Sequence, residues 1–262
     1  MTLPIPERRR PWSRAEILAA LHVYLLLPFG QLHRNQPLIK QLAAWIERSP
    51  SSVALKLVNL ASLDPQVVAS GRSGMRNASA QDEQIWRQLL TDWDAVAREA
   101  ANEYERLATA HGLPQNSDVA DDLEQFEGIT RLATVEVRVN QARFRRAVLA
   151  SYNATCCISG LQHPRLVVAS HIVPWSEDKQ NRLNPQNGLC LSALHDRAYD
   201  QGLITVMPDF TVRLSQELSS QQQTDFGAAA LLRFDGQSIT MPERFRPNPF
   251  FLAAHARRFG FL

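Results

Sequence analysis

Only three cysteines stand in a chain of 262 residues, two of them adjacent at 156 and 157 and the third at 190. That is too few for a disulfide framework and suits a reducing compartment, so a bacterial-type cytoplasm is the expected location. Long apolar runs are missing too. Nothing approaches the roughly 18 apolar residues a membrane span requires, and no membrane partner is expected. LAALHVYLLLPFG (18–30) comes nearest, with RRR (8–10) ahead of it as in a secretory signal. Yet Arg14 and Glu16 intervene, His22 interrupts the run, and no small-x-small cleavage site follows, so a buried helix is expected there. An overall excess of charge is also lacking, with 28 Lys+Arg against 26 Asp+Glu. At 45% hydrophobic and 21% charged residues, the composition excludes wholesale disorder and leaves room for two modest domains.

The near-neutral total hides an uneven distribution. Residues 1–60 carry 8 basic against 3 acidic side chains, residues 61–127 carry 5 against 13, and residues 128–262 carry 15 against 10. Two basic segments around an acidic one suit a protein that touches polyanions at both ends, although ordinary solvated faces give the same count.

The first hundred residues have helical periodicity. Ser13 followed by Glu16 forms a capping box ahead of an apolar stretch that Pro28 and Gly30 close. PLIKQLAAWIERS places Leu38, Leu42, Trp45 and Ile46 on one face, and SPSSVALKLVNLASL follows with a Ser49 or Ser51 cap and a Val53, Leu57, Leu60 stripe. This pair, with Ala43 and Ala44 permitting close approach, reads either as a helix-turn-helix or as a plain helical hairpin. In the first reading Ser51, Ser52, Lys56 and Asn59 face a groove or phosphates. GRSGMRNAS (71–79) is a loop, and residues 79–112 form one long helix with Trp86, Leu89, Leu90, Trp93, Val96 and Ala97 on its apolar side. The boundaries expected are a helical domain at 1–112, DNA-binding or regulatory, an acidic linker at 113–127, and a second domain at 128–262.

In that second part TRLATVEVRV alternates like a strand, and NQARFRRAVLASY reads as a helix carrying Arg143, Arg145 and Arg146 as candidate nucleic-acid contacts beside Lys56. LVVASHIVPW is a strand running into a loop, and NGLCLSALHDRAYDQG is a strand or turn leading into a short helix. ITVMPDFTVRLS gives a hairpin around Pro208-Asp209, and a C-terminal helix closes the chain. His171 then stands at a strand end and His195 on the helix that follows a wide polar loop. One neutral imidazole there can take a proton from water while the other ligates a divalent cation. Asn187 between them can orient an imidazole through its side-chain carbonyl.

The ordered motifs H-I-x-P-W, N-P-x-N-G-L and L-H-x-x-x-x-D-x-G-L resemble the HNH endonuclease family, most closely its restriction and defence branch. RVNQARFRRAVLASYNATCCISG is similar to the lead-in of that branch. The resemblance covers roughly residues 130–205. It implies an α+β chain in which an all-α, helix-turn-helix-like N-terminal domain precedes a ββα-metal nuclease domain. His171 matches the general base, Asn187 the central Asn, and His195 the metal ligand. Family members often place Asp or His immediately before the base, where this chain has Ser170. Asp200, one turn beyond His195, is the local substitute, or else a cap of the turn at Gly202. Many members hold a structural zinc on two C-x-x-C pairs. The corresponding positions here are Cys156 with Ser159 and Leu191 with Leu194, so no structural zinc is expected.

The activity implied is hydrolysis of double-stranded DNA with one divalent cation, Mg²⁺ first and Mn²⁺ or Ni²⁺ as alternatives, both strands being cut either by a homodimer or by two successive nicks. Two other readings stay open. One is a non-catalytic DNA-binding regulator with a decayed HNH core. The other is a nuclease licensed by a partner or signal through the N-terminal domain.

Overall fold

The computed structural model describes residues 10–71, 77–113, 128–220 and 224–262, with the backbone alone over 128–136. It is a helix-rich α+β chain with two small antiparallel sheets. The first helix, α1 (Arg14–Leu26), opens on the expected capping box: Ser13 accepts from the Glu16 N–H, and Glu16 accepts from the Ser13 N–H. Its buried residues run almost without break from Glu16 to Leu25, so it is wrapped on all sides rather than on one face. Around it pack α2 (Pro37–Trp45), α3 (Pro50–Ala61), α5 (Ala80–Thr91) and α6 (Trp93–Ala110), with the short α4 (Pro65–Ala69) between α3 and α5. Ser49 caps α3, and Val53, Leu57 and Leu60 are fully buried, as their spacing requires.

Residues 79–112 form two helices rather than one. Asp92 leaves helical geometry (φ −145°, ψ 89°), and its carboxylate accepts from the Ala95 N–H to start α6. An aspartate favours a cap over a helix interior because its short side chain competes for nearby backbone N–H groups.

The strand expected at 130–139 is absent as well. A single helix, α7 (Gly128–Ser151), runs through it. Once a helix is nucleated each added residue gains a hydrogen bond, so a period-two alternation of valines does not prevent α7 from extending through the segment. The expected linker, 113–127, lies outside the described residues apart from Leu113.

Strands β1 (Val167–His171) and β2 (Gly188–Ser192) pair antiparallel, with Ser170 opposite Leu189 and His171 opposite Gly188. α8 (Ala193–Asp200) follows β2 directly and packs on both strands, while α7 covers the other side of the ribbon. A Cβ on Gly188 would lie 2.5 Å from Val148 Cγ2 and 2.8 Å from Phe144 Cζ on α7, so only glycine lets the ribbon lie this close. Gly202 ends α8 with φ +68°, and a Cβ there would fall 2.1 Å from the Phe259 ring. The hairpin β3 (Ile204–Val206) and β4 (Val212–Leu214) forms about Pro208-Asp209 as expected.

The short α9 (Gln216–Ser220) and α10 (Asp225–Ala230) precede α11 (Pro249–Arg258), which rests on β3. Just before α11, the fully buried Arg244 donates to the Tyr24 carbonyl in α1, and the Phe245 N–H donates to Asp64. The apolar core is thereby continuous from α1 to α11.

Candidate active site

His171 closes β1 with its ring face to face on Phe144 of α7 (centroids 3.6 Å, 14° between planes) and edge-on to Trp175 at 5.5 Å. Its Nε2 lies 3.0 Å from the Arg182 carbonyl. A carbonyl only accepts, so the neutral ring carries its proton on Nε2 and keeps a lone pair on Nδ1. Burial holds the pKa below the ordinary histidine value, only partly opposed by that hydrogen bond. At neutral pH the ring is therefore uncharged, with one nitrogen able to take a proton.

Asn187 does not touch this imidazole. Its Oδ1 accepts from the Val173 N–H at 2.8 Å, its Nδ2 donates to the Val173 carbonyl at 3.0 Å, and its own carbonyl accepts from the Ile172 N–H. With 1% of its surface exposed, it clamps the two residues after His171 and fixes the ring through the backbone. The expectation of a direct contact through the side-chain carbonyl gives way to this clamp, because the turn at Asn184–Asn187 brings the amide against the chain rather than the ring.

His195 sits elsewhere. It occupies the first turn of α8, which Ser192 caps, and only 3% of it is exposed. Nδ1 lies 2.8 Å from Ser192 Oγ and 3.6 Å from Cys156 Sγ, while Nε2 donates to the Ala230 carbonyl at 2.9 Å. Both ring nitrogens are engaged inside the protein, and none of these neighbours is shared with His171. The residues that face Cys156 are thus Ser192 and His195, not the Leu191 and Leu194 expected from spacing. Burial raises the Cys156 thiol, yet hydrogen bonds from His195 and Ser159 outweigh it and bring the pKa down to about 6.

One residue further on, the helix turns outward. Asp196 and Asp200 stand at i and i+4 on the same side of α8, the first half-buried and the second exposed. Burial raises the pKa of Asp196, with Ser170 opposing, and burial followed by the charge of Asp196 raises that of Asp200. Ser170, 3% exposed, brings its hydroxyl beside the Asp196 carboxylate without a well-formed hydrogen bond of its own. Two carboxylates one helical turn apart, with the buried Ser170 hydroxyl beside Asp196, form a donor set that suits a hard cation, which needs only one or two protein carboxylates and keeps several waters. Among the described residues, no group of three or more His, Cys, Asp or Glu is placed to hold a metal. Asp196 was missed in the sequence reading; its i, i+4 relation to Asp200 was the available signal.

Residues 156–207 match the family model of an HNH endonuclease. The match runs from Cys156 through β1, β2 and α8 into β3, so it holds His171, Asn187, His195, Asp196 and Asp200 and supports a nuclease unit in this stretch. No curated protein matches the chain.

The basic residues expected on nucleic acid have other engagements. Arg143 reaches Asn140 and pairs with Glu105 of α6, and Arg145 donates to the Val167 and Pro164 carbonyls, which holds the lead-in to β1. Arg146 is exposed. Lys56 is a correction: it is 6% exposed and its ammonium lies 2.8 Å from both oxygens of the buried Asp82. A lysine at this point of α3 points back toward α5, so it cannot project into a DNA groove. His255 of α11 is also interior, stacked on Tyr199 at 3.6 Å.

Proposed function

We propose that this chain is a metal-dependent endonuclease that hydrolyses phosphodiester bonds in double-stranded DNA, serving restriction or anti-phage defence and acting as a homodimer when both strands are cut. The observation that carries the reading is the His171 ring, uncharged, clamped on Phe144, with Nε2 given to a carbonyl and Nδ1 left to accept a proton, inside the stretch similar to HNH endonucleases. In this reading Nδ1 removes the proton from the attacking water. Asn187 keeps the ring in place through the Ile172–Val173 backbone, and Phe144 prevents it from swinging away.

Asp196 and Asp200, with the Ser170 hydroxyl, are the residues that would hold Mg²⁺, or Mn²⁺ or Ni²⁺ in its stead. Once bound, such a cation stabilises charge on the non-bridging and leaving oxygens of the phosphodiester. His195 is reassigned from ligand to support, because both its nitrogens already bind the protein.

Supercoiled plasmid incubated with the protein and each of the three cations tests the proposal. Nicking or linearisation is expected, and His171→Ala should slow it by about 10²–10⁴-fold, the usual contribution of a general base. Cutting that survives in this variant removes His171 from the role. A wild-type chain that cuts with none of the cations supports the second reading, a DNA-binding regulator with a decayed core, which Ser170 and the lack of a three-ligand group among the described residues favour.

A further inference from the structure

Away from β1, β2 and α8, a large cleft lies in the helical half, with a volume of about 1180 Å³. Its walls are the start of α3, the residues before α1, and the start of α5. Ser51, Ser52, Lys56 and Asn59, the four residues that a helix-turn-helix would direct outward, all line it. They form a concave surface with Trp12 and Arg48 across from them, not a convex helix edge. That shape suits a ligand entering the protein better than a helix entering a DNA groove.

Three features of the walls indicate what would enter. First, α3 begins with Ser51 and Ser52 accessible and no acidic residue in its first turn, whereas α5 carries Asp82 and Glu83 there. Ser49 Oγ accepts from the Ser52 N–H and Glu47 stands at the cleft, but no carboxylate of α3 itself offsets the positive end of its dipole, which favours an anion such as a phosphate there. Second, the Arg48 guanidinium lies 4.3 Å over the Trp12 ring and is held flat by Glu16 and by the carbonyls of Arg10 and Pro11. That side chain is only 9% exposed, and the Lys56 ammonium lies 4.9 Å over the same ring, so what the cleft offers a base is the exposed part of the half-buried indole. Third, Asn59 is 7% exposed and its Nδ2 donates to the Asn77 carbonyl, but its Oδ1 has no partner. A buried amide oxygen without a donor is unfavourable, and a base N–H would satisfy it.

We propose that this cleft binds one nucleotide unit: the phosphate at the start of α3 on Ser51 and Ser52, the base against the exposed part of Trp12, and a base N–H on Asn59 Oδ1. The cleft exceeds the about 300–1,000 Å³ of ordinary small-molecule pockets, which points to a nucleotide carried in a strand, with a free nucleotide as the other source of the same chemistry. The cations of the wall are largely matched, Arg48 by Glu16 and Lys56 by Asp82, so the ligand is selected by stacking and hydrogen bonds more than by net charge.

The test is calorimetric titration of the full chain with dAMP, dCMP, dGMP and dTMP, with inorganic phosphate, and with a 12-nucleotide single strand and its duplex, cation omitted. Saturable binding of at least one mononucleotide or of the single strand is expected, at least 10-fold tighter than phosphate alone. Ser51→Glu puts a carboxylate where the phosphate would lie while favouring the helix start, so it should weaken binding at least 10-fold with the melting temperature unchanged or raised. Trp12→Leu should weaken it similarly.

Single-strand binding that competes with the mononucleotide assigns the site to a strand, and mononucleotide binding without it assigns a free nucleotide. Binding of the duplex alone, binding no tighter than phosphate, or affinities indifferent to both substitutions overturn the proposal. None of these outcomes depends on whether the chain cuts DNA.

Discussion

The inner and outer faces of α8 differ in what their side chains have left to bond with. Inside, His195 is saturated: Ser192 and Cys156 meet one nitrogen and the Ala230 carbonyl meets the other. Outside, burial disfavours a charged Asp196, burial and the charge of Asp196 disfavour a charged Asp200, and the Ser170 hydroxyl has only the Asp196 carboxylate beside it. The two faces are one residue apart in sequence and about 100° apart around the helix axis. A histidine beside an aspartate at the same helix start therefore divides into a structural group and a group with unused bonding capacity. A metal site should be sought among the unsatisfied groups, whichever residue type looks the better ligand.

The sharpest way to break this comparison is to neutralise the outer face. The double substitution Asp196→Asn and Asp200→Asn should lower plasmid cleavage by about 10²-fold or more, a figure of the order expected when a charge-stabilising group is lost. It should leave the denaturant midpoint unchanged or slightly raised, because both carboxyls have pKa values above their ordinary ones and folding already disfavours their charge. A fall in stability with activity intact would reverse the assignment of the two faces.

The inner face should respond the opposite way. His195→Ala strands the Ala230 carbonyl and the Ser192 hydroxyl in a dry site and opens a void beside Cys156, so about 2–4 kcal/mol of stability should go. Urea unfolding with m held constant measures it. If His195→Ala instead keeps the wild-type midpoint and abolishes cutting, His195 is the ligand after all, and the conformation of α8 differs when the cation is bound.

A smaller effect is expected where α7 meets the ribbon. Gly188→Ala forces a methyl to within 2.5 Å of Val148. The cost should be about 1–3 kcal/mol, the range for overpacking a core, together with a loss of cutting out of proportion to it, since the displaced Phe144 is the surface on which His171 is stacked. Activity that follows stability alone would mean the stack does not position the base.

How far the sequence could be read follows from which interactions are local. The Ser13–Glu16 box, the Ser49 cap, the Val53–Leu57–Leu60 stripe and the β3–β4 turn are all set by residues within a few positions of one another, and they stand as read. Asp92 was misread because an apolar face continues across it, although an aspartate prefers to begin a helix. Val135, Val137 and Val139 alternate as in a strand, but a helix already formed at Phe144 and Val148 extends through them.

At the candidate site the motif residues fall on a strand, a turn and a helix, and His171 lies at the end of β1 as read. Which of His195 and Asp196 faces inward depended on Cys156 and Ala230, residues 39 and 35 positions from His195 in the chain. Lys56 illustrates the same limit, since its partner Asp82 is 26 residues away on α5.

The last effect is the slightest per site and concerns pH. Two further histidines are held neutral: the half-buried His22, held down to about 3 by desolvation and by the charges of Arg143 and Arg146, and the buried His255, held down to about 4 mainly by burial. In the unfolded chain both protonate near 6.5. Between that value and the folded one the unfolded state binds more protons, so stability is full above about pH 6.5 and falls as the pH drops toward 4 and 3. Each histidine adds a slope of about 1.4 kcal/mol per pH unit.

The His171 ring shares the direction of this shift, so its basic form should persist below pH 6.5 while the fold is weakening. Cleavage and stability should accordingly separate on acidification if the base is exposed enough to titrate on its own. His255→Gln should flatten the dependence of the urea midpoint between pH 6 and 4.5 by about one proton. It should leave the acid limb of cleavage where it was, because His255 lies between Tyr199 and Thr205 and not beside His171. If the cleavage limb moves with the substitution, the loss of activity in acid reports unfolding rather than protonation of the base.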